Sequence, residues 1–276
     1  EYLGVMRNNE MLASFFIHAN KVLEDMVELE DGRQVKVKSK QSGKLGQDWR
    51  IRNYAKGEFY RWMASWAMML SAPSDLGYND NGYILPPLTI TPIFCDVDYS
   101  PTDQLFFTGL KGIQDRTAIR RETLSDRIAF AADLVNNSDE QWIVWCGLQQ
   151  EADALMAVLN DAHEVKGSDQ PEDKAQAFED FQDGKFRVLV TKGKIAGFGM
   201  NFQNAHNMVF VGLGDSWELY YQCIRREWRF GQVKPVNVYI VLSEIERGIY
   251  DNVMRKEAMA AEMKRELIAN MQLIEK

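Results

Sequence analysis

The apolar positions in the second half of the chain gather into short runs of strand length, rich in β-branched residues: "WIVWC" (142–146), "FRVLVT" (186–191), "NMVFVG" (207–212) and "VNVYIVL" (236–242). Between the first two, Ala152, Leu155, Met156 and Leu159 recur at helical spacing, and a second helical stretch passes through Ala177, Phe178 and Phe181. Strand alternating with helix predicts an α/β fold with a parallel sheet covered by helices on both faces. Ligands of such sheets sit beyond the carboxyl ends of the strands, so chemistry is expected in the loops after Thr191 and Gly212.

The first 140 residues are less regular. Segments 11–16, 58–70 and 116–135 read as helical, and the second carries a stripe of Trp62, Trp66 and Met69 that is expected to be core. "MVELEDGRQVKVKSK" (26–40) has two alternating runs around Asp31-Gly32, which predicts a tight hairpin. "LPPLTITPIFCDVDYSPTDQ" (85–104) reads as a proline-punctuated entry into an extended strand, stopped at Ser100-Pro101 before a helix. After Ser243 a long polar and apolar helix runs through Ile249, Val253 and Met263 to the end. The expected organisation is a mainly helical region with the hairpin at 1–84, an α/β lobe at 85–243 and a bracing helix at 244–276.

Composition adds limits. The chain has 276 residues, 46% hydrophobic and 26% charged, as ordinary globular proteins do. No apolar run approaches the roughly 20 residues that span a bilayer, and no basic-then-apolar signal opens the chain, so no membrane association and an intracellular location are expected. Cys95, Cys146 and Cys223 stand far apart and the three histidines are scattered, so neither a disulfide framework nor a zinc site is readable. The opening "EYLGVM" suggests a piece cut from a longer polypeptide.

The net charge of −8 argues against an indiscriminate nucleic-acid coat, but the charge is uneven. Between Arg33 and Lys56 stand eight basic residues and one acidic one, Asp48, a local balance of +7. Lys36, Lys38 and Lys40 fall on one face of the second hairpin strand. A basic ribbon of this kind tracks a phosphate backbone or is simply a solvated surface, and the pattern leaves both open.

The densest motif is "QCIRREWRFGQ" (222–232), with three arginines within five positions. On a helix at about 100° per residue, Gln222, Arg226 and Arg229 fall at i, i+4 and i+7, a stripe suited to gripping a phosphate. The order "VLVTKGKIAGFGMNFQNAHNMVFVGLGDSWELYYQCIRREWRFGQ" resembles the second RecA-like lobe of superfamily 2 helicases, specifically the Swi/Snf-type translocases in their phage and prophage form. The family's elements correspond to Thr191 at a strand end, the Gly197, Gly199, Asn201 turn, Asp215 and Trp217 in an acidic-aromatic loop, and Gln222, Arg226, Arg229, Gly231 and Gln232 at fixed spacing. The Leu-Pro-Pro segment at 85–87 and "VKGSDQPEDKAQAFEDFQDGKFRVLVT" are similar to further family segments, so the resemblance covers 85 to about 250 well and the first 84 residues loosely.

The resemblance implies a RecA-like lobe of a DNA helicase or translocase acting with ATP and Mg2+. Arg229 is implied as the leading arginine finger, Arg226 as its partner and Gln222 as the residue that orients them. It also implies that Gly197, Gly199 and Asn201 border the ATP cleft. Thr191, Lys192, Lys194, Gly167 and Ser168 are implied on the nucleic-acid backbone; Gly167 and Ser168 read equally well as a helix cap. The alternative to phosphate contact is that the arginines pair with Asp215, Glu218 and Glu227 as an ion cluster.

Two features depart from the family pattern. Trp228 stands where the family usually has His, and the turn from Thr191 to Gly197 is long. The chain also has no phosphate-binding loop and no Asp-Glu-x-His box; in "QSGKLGQ" a leucine, Leu45, follows the lysine where Ser or Thr must hold magnesium. A preceding RecA-like lobe of the same polypeptide is therefore expected as partner and as the main holder of ATP and Mg2+, and this chain alone is expected to be inactive. A phage-type protein is expected in the cytoplasm of a bacterial host. The competing reading is a non-enzymatic nucleic-acid-binding module with a degenerate RecA-like fold.

Overall fold

The structure, a computed structural model, describes residues 6–19, 23–28, 34–39, 48–95, 120–197 and 199–274. The chain divides into two compact units, Glu1–Tyr78 with Glu262–Lys276, and Asn79–Ala261.

In the first unit, helix α1 (Asn8–Phe15) leads into strand β1 (Phe16–Ala19), which pairs antiparallel with β4 (Asp48–Ile51). Between them β2 (Leu23–Glu28) and β3 (Gln34–Ser39) form the antiparallel ribbon read from the alternating pattern; its Asp31-Gly32 turn lies outside the described residues. Helix α2 (Lys56–Ala64) is shorter than the sequence suggested: it ends before Trp66, which is 41% exposed. Its core is aromatic, with Phe15 and Phe59 edge to face at 5.3 Å and Phe15 stacked on Trp62 at 5.6 Å. Such pairs add about 0.5–1.5 kcal/mol beyond area burial. Lys56 pairs with Glu262, which ties α2 to the C-terminal part of the last helix, α8 (Arg247–Ile274).

The second unit is a six-stranded parallel sheet with helices on both faces. Its strands are β5 (Leu88–Cys95), β6 (Trp142–Cys146), β7 (Ala162–Val165), β8 (Val188–Lys192), β9 (Asn207–Val211) and β10 (Val236–Ser243), in spatial order β5-β10-β9-β6-β8-β7. Strand β7 has no apolar run and was not visible in the sequence. The central strands are apolar on both faces because both are covered: all five residues of β6 and of β9 are buried.

The alternation along β6 sorts the helices. Ile143 and Trp145 pack in one core with Phe178 and Phe181 of α5 (Pro171–Gln182), and with Tyr220, Cys223 and Ile224 of α7 (Trp217–Glu227). Trp142, Val144 and Cys146 pack in the other with α3 (Leu124–Asn136) and α4 (Gln149–Met156). The chain leaving β6 therefore goes to one face through α4, and the chain leaving β9, its neighbour, goes to the other through α7. That divergence opens a crevice between the two strand ends, a topological switch point.

Candidate functional site: the carboxyl edge of the parallel sheet and the arginine turn

The loops after β6, β7 and β8 lie at the carboxyl edge of adjacent parallel strands. Thr191 is buried and its hydroxyl donates to the Val165 carbonyl at 3.0 Å, so it joins β8 to β7. Lys192 Nζ donates to Gln149 Oε1 at 2.9 Å, which links the β8 and β6 loops. Lys194 is exposed on the four-residue helix α6 (Gly193–Ala196). Gly167 and Ser168 are exposed; Gln170, not either of them, is the N-cap of α5, and the Gly167 carbonyl accepts from Lys174 Nζ at 2.7 Å. Lys36 and Lys38 lie in β3 opposite Met26 and Glu24, in the other unit, and Lys40 lies outside the described residues.

The glycine turn and the arginine motif form one clamped structure. Arg226 Nη1 donates to the Met200 carbonyl at 2.8 Å, and Phe202 N–H donates to the Arg226 carbonyl at 2.9 Å. Gln222 Oε1 accepts from Arg226 Nη2 at 3.1 Å and its carbonyl from Arg226 Nε at 3.0 Å, so Gln222 holds two of the guanidinium's nitrogens. Gly199 has φ +78° and so lies in the left-handed region that favours glycine. A side chain on Gly197 would meet the Gly193 carbonyl oxygen at 2.2 Å. Asn201 is exposed, and its carbonyl accepts from Gln182 Nε2 at 2.6 Å.

One geometric expectation is corrected. Helix α7 ends at Glu227, and Trp228, with ψ 79°, turns the chain out of it. Arg229 therefore does not continue the stripe of Gln222 and Arg226. The reason lies in the motif's end: Gln232 is buried, its amide donates to the carbonyls of Gln203, Ala205 and Glu227, and Gly231 at φ +92° allows the reversal. Trp228 Nε1 donates to the Pro86 carbonyl at 2.8 Å, which fastens this turn to the Leu-Pro-Pro segment.

Among the described residues no carboxylate oxygen lies within 4.0 Å of Arg226 or Arg229, and Arg229 Nε is buried without a hydrogen-bond partner. Burial, then the neighbouring Arg229 charge, lower the pKa of Arg226. Among the described residues the turn thus holds two guanidiniums near each other with no carboxylate in ion-pair contact, an arrangement able to receive an anion. Glu227, between them in sequence, is fully buried with neither oxygen partnered, and burial raises its pKa well above the ordinary value. It contributes no compensating charge when protonated.

A buried ionic network escaped the sequence reading. Glu151, with no exposed side chain, accepts from Arg120 Nη2 at 2.6 Å, from Arg127 Nη1 at 3.0 Å and from the backbone N–H groups of Gly147 and Leu148 at 2.9 Å. Glu246 stands 3.8 Å from both arginines and accepts from Ser243. This network joins the ends of β6, β9 and β10 at the switch point, where Arg120 also donates to the Val211 carbonyl at 3.2 Å. The available signal was a charged residue on each apolar helix stripe: Arg127 with Ala131 and Val135, and Glu151 with Leu155.

Among the described residues no group of three or more His, Cys, Asp or Glu is placed to hold a metal, and no helix is long and apolar enough to cross a membrane.

Residues 126–231 match the family model described as the helicase conserved C-terminal domain. The bifunctional helicase and thymine dioxygenase JBP2 of Leishmania tarentolae is 37% identical over 100 residues, which is 34% of this chain and 9% of that protein. The Leishmania major protein of the same description is 37% identical over 86 residues, 30% of this chain and 8% of that protein. The chain thus matches less than a tenth of the length of these relatives. Two solved structures are similar in part. The C-terminal part of the Fun30 ATPase domain has TM-score 0.44 and 23% identity over 48% of this chain and 46% of that one. The C-terminal domain of the DEAD-box protein Dbp5 has TM-score 0.42 and 19% identity over 48% of this chain and 78% of that one. The residues matched to the helicase conserved C-terminal domain, 126–231, lie within the parallel-sheet unit and take in the glycine turn and the three arginines of the motif.

Proposed function

We propose that this chain supplies the second motor lobe of an ATP-dependent DNA translocase or helicase of the Swi/Snf type. The observation that carries the reading is the pair of guanidiniums, Arg226 and Arg229, held on one turn with no carboxylate within 4.0 Å among the described residues. Leaving two cations near each other without a counter-ion costs stability, and a site that receives phosphate gives a physical reason to keep them.

In this reading Arg226 is the fixed member, locked onto Met200 and Gln222, and it positions the glycine turn. Arg229 is the reacting member: its guanidinium meets negative charge developing on the γ-phosphate of ATP carried by a first lobe, and such a finger is worth about 10³-fold or more in rate. ATP supplies the driving free energy when bound; Mg2+ is held by the first lobe. The β6, β7 and β8 loops, with Lys192, Lys194, Gly167 and Ser168, run along the nucleic-acid backbone.

The test is DNA-stimulated ATP hydrolysis by this chain together with the first lobe, in wild type and Arg229→Ala. Stimulated hydrolysis that collapses in the variant while ATP still binds supports the motor. Absence of hydrolysis in the wild type, or full activity in the variant, replaces it with a binding module.

A further inference from the structure

The arginine motif holds a third guanidinium, to which the reading above gives no part. Arg225 lies in the last turn of α7, and Trp228 stands three residues on, where the helix ends. The Trp228 backbone N–H donates to the Ile224 carbonyl at 3.0 Å, and its indole Nε1 donates to the Pro86 carbonyl at 2.8 Å. The ring is thereby fixed through its backbone and through its nitrogen. Residues three apart share a helix face, and the Arg225 guanidinium lies over the indole with Cζ 5.2 Å from the ring centroid.

Attraction to the face of a ring leaves the donors of a guanidinium unspent. Arg225 is partly exposed, and among the described residues its guanidinium donates no hydrogen bond and has no carboxylate oxygen within 4.0 Å. Arg226, by contrast, commits its nitrogens to Gln222 and Met200. A cation in the last turn of a helix also offsets the helix dipole, but that task needs no ring beneath it and a lysine performs it as well. The ring adds something else: a planar fork held in place with its donors left over. Such a fork is what bidentate contact with phosphate requires. Burial and, after it, the charges of Arg229 and Arg225 lower the pKa of Arg226, so the three guanidiniums act on one neighbourhood and together favour an anion there.

We propose that Arg225, braced on Trp228, is a phosphate-binding residue whose ligand is the polyphosphate of a nucleotide or the backbone of a nucleic acid. Trp228 is its positioning residue. The proposal rests on the phosphate-contact part of the reading above, and not on hydrolysis.

The experiment uses the full chain and two probes, inorganic tripolyphosphate by calorimetric titration and a labelled single-stranded oligonucleotide by fluorescence anisotropy. Arg225→Ala should weaken the probe that binds by about fivefold or more, and Arg225→Lys, which keeps the charge and the dipole contact but not the fork, by about threefold. Trp228→Leu should weaken it as Arg225→Lys does, and should cost nothing further in the Arg225→Ala background, because the ring acts through Arg225 alone. The probe that shows this pattern names the source of the phosphate. Should Trp228→Leu fail to fold, Arg225→Lys decides by itself. Binding of neither probe, full binding by Arg225→Lys, or an undiminished effect of Trp228→Leu in the Arg225→Ala background overturns the proposal. Neither measurement needs a first lobe or turnover, so absence of ATP hydrolysis would remove the motor and leave this result standing.

Discussion

Arg226 Nη1 and the Met200 carbonyl meet at 2.8 Å, and this bond makes the glycine turn and the arginine helix one mechanical piece. Among the described residues the side chain of the second arginine of the motif has no comparable tie. Its Nε is buried without a partner, and only its backbone, through the N–H to Glu227 and the carbonyl from Gln232, takes part in the turn. Two arginines that read alike in the sequence therefore do different work.

Their variants should separate accordingly. Arg226→Ala removes three hydrogen bonds from a charged donor and leaves the Met200 carbonyl exposed or unpaired. A loss of about 1.5–3 kcal/mol is expected, with Tm falling by about 2–4 °C per kcal/mol for a unit of this size. Arg229→Ala should leave Tm within about a degree or raise it, since it relieves repulsion with Arg226. Differential scanning calorimetry on both variants checks this. An equal loss in the two would mean that Arg229 is also structural.

Glu227 gives a pH signature. Its folded-state pKa is raised, by burial, well above 4.5, so the folded protein keeps a proton that the unfolded chain releases. Its contribution is fully present below the unfolded pKa and is lost as pH rises toward the folded one. Glu227→Gln cannot ionise and abolishes that loss. Relative to wild type, the variant should gain stability as pH rises from about 4.5, at no more than about 1.4 kcal/mol per pH unit. Denaturant midpoints of both proteins between pH 4.5 and 8 test it; parallel curves would show that Glu227 finds a partner.

How much of this was legible follows from what each signal encodes. Strands β6, β8, β9 and β10 announce themselves because burial on both faces demands continuous apolar runs, whereas β7, an edge strand reading Ala-His-Glu-Val, needs no such run and gave none. The motif spacing located Gln222, Arg226 and Arg229, but helical periodicity alone placed the third on the stripe of the first two. Gln232 and Trp228, which bend the chain away, act through carbonyls distant in sequence, at Ala205 and Pro86. The Arg127 and Glu151 pair was hidden for the same reason: 24 residues separate them, and only the packing of α3 against α4 brings them together.

That pair is a costly one to break. Glu151→Ala leaves the guanidiniums of Arg120 and Arg127 in the interior without their main acceptor, and a loss of about 3–5 kcal/mol is expected. Adding Arg127→Met should cost less than the two single changes summed, because one charge no longer needs the other. Urea unfolding of the two single variants and the double variant gives the coupling. Strict additivity would mean that the bond at 3.0 Å contributes nothing.

The basic ribbon makes a different kind of prediction, because a lysine that meets a phosphate backbone acts through counterion release. Lys36 and Lys38 occupy alternate positions of β3, two residues apart, and so fall on one face of the ribbon about 6–7 Å from each other, close to the spacing of successive backbone phosphates on one strand. If the ribbon tracks nucleic acid, replacing both by alanine should weaken DNA binding uniformly across sequences and reduce the slope of log K against log salt by about 2, one for each phosphate no longer neutralised. Fluorescence anisotropy of a labelled duplex at four or more salt concentrations measures that slope. A lower affinity with an unchanged slope would place the lysines outside the interface, and an unchanged affinity would make the ribbon a solvated surface.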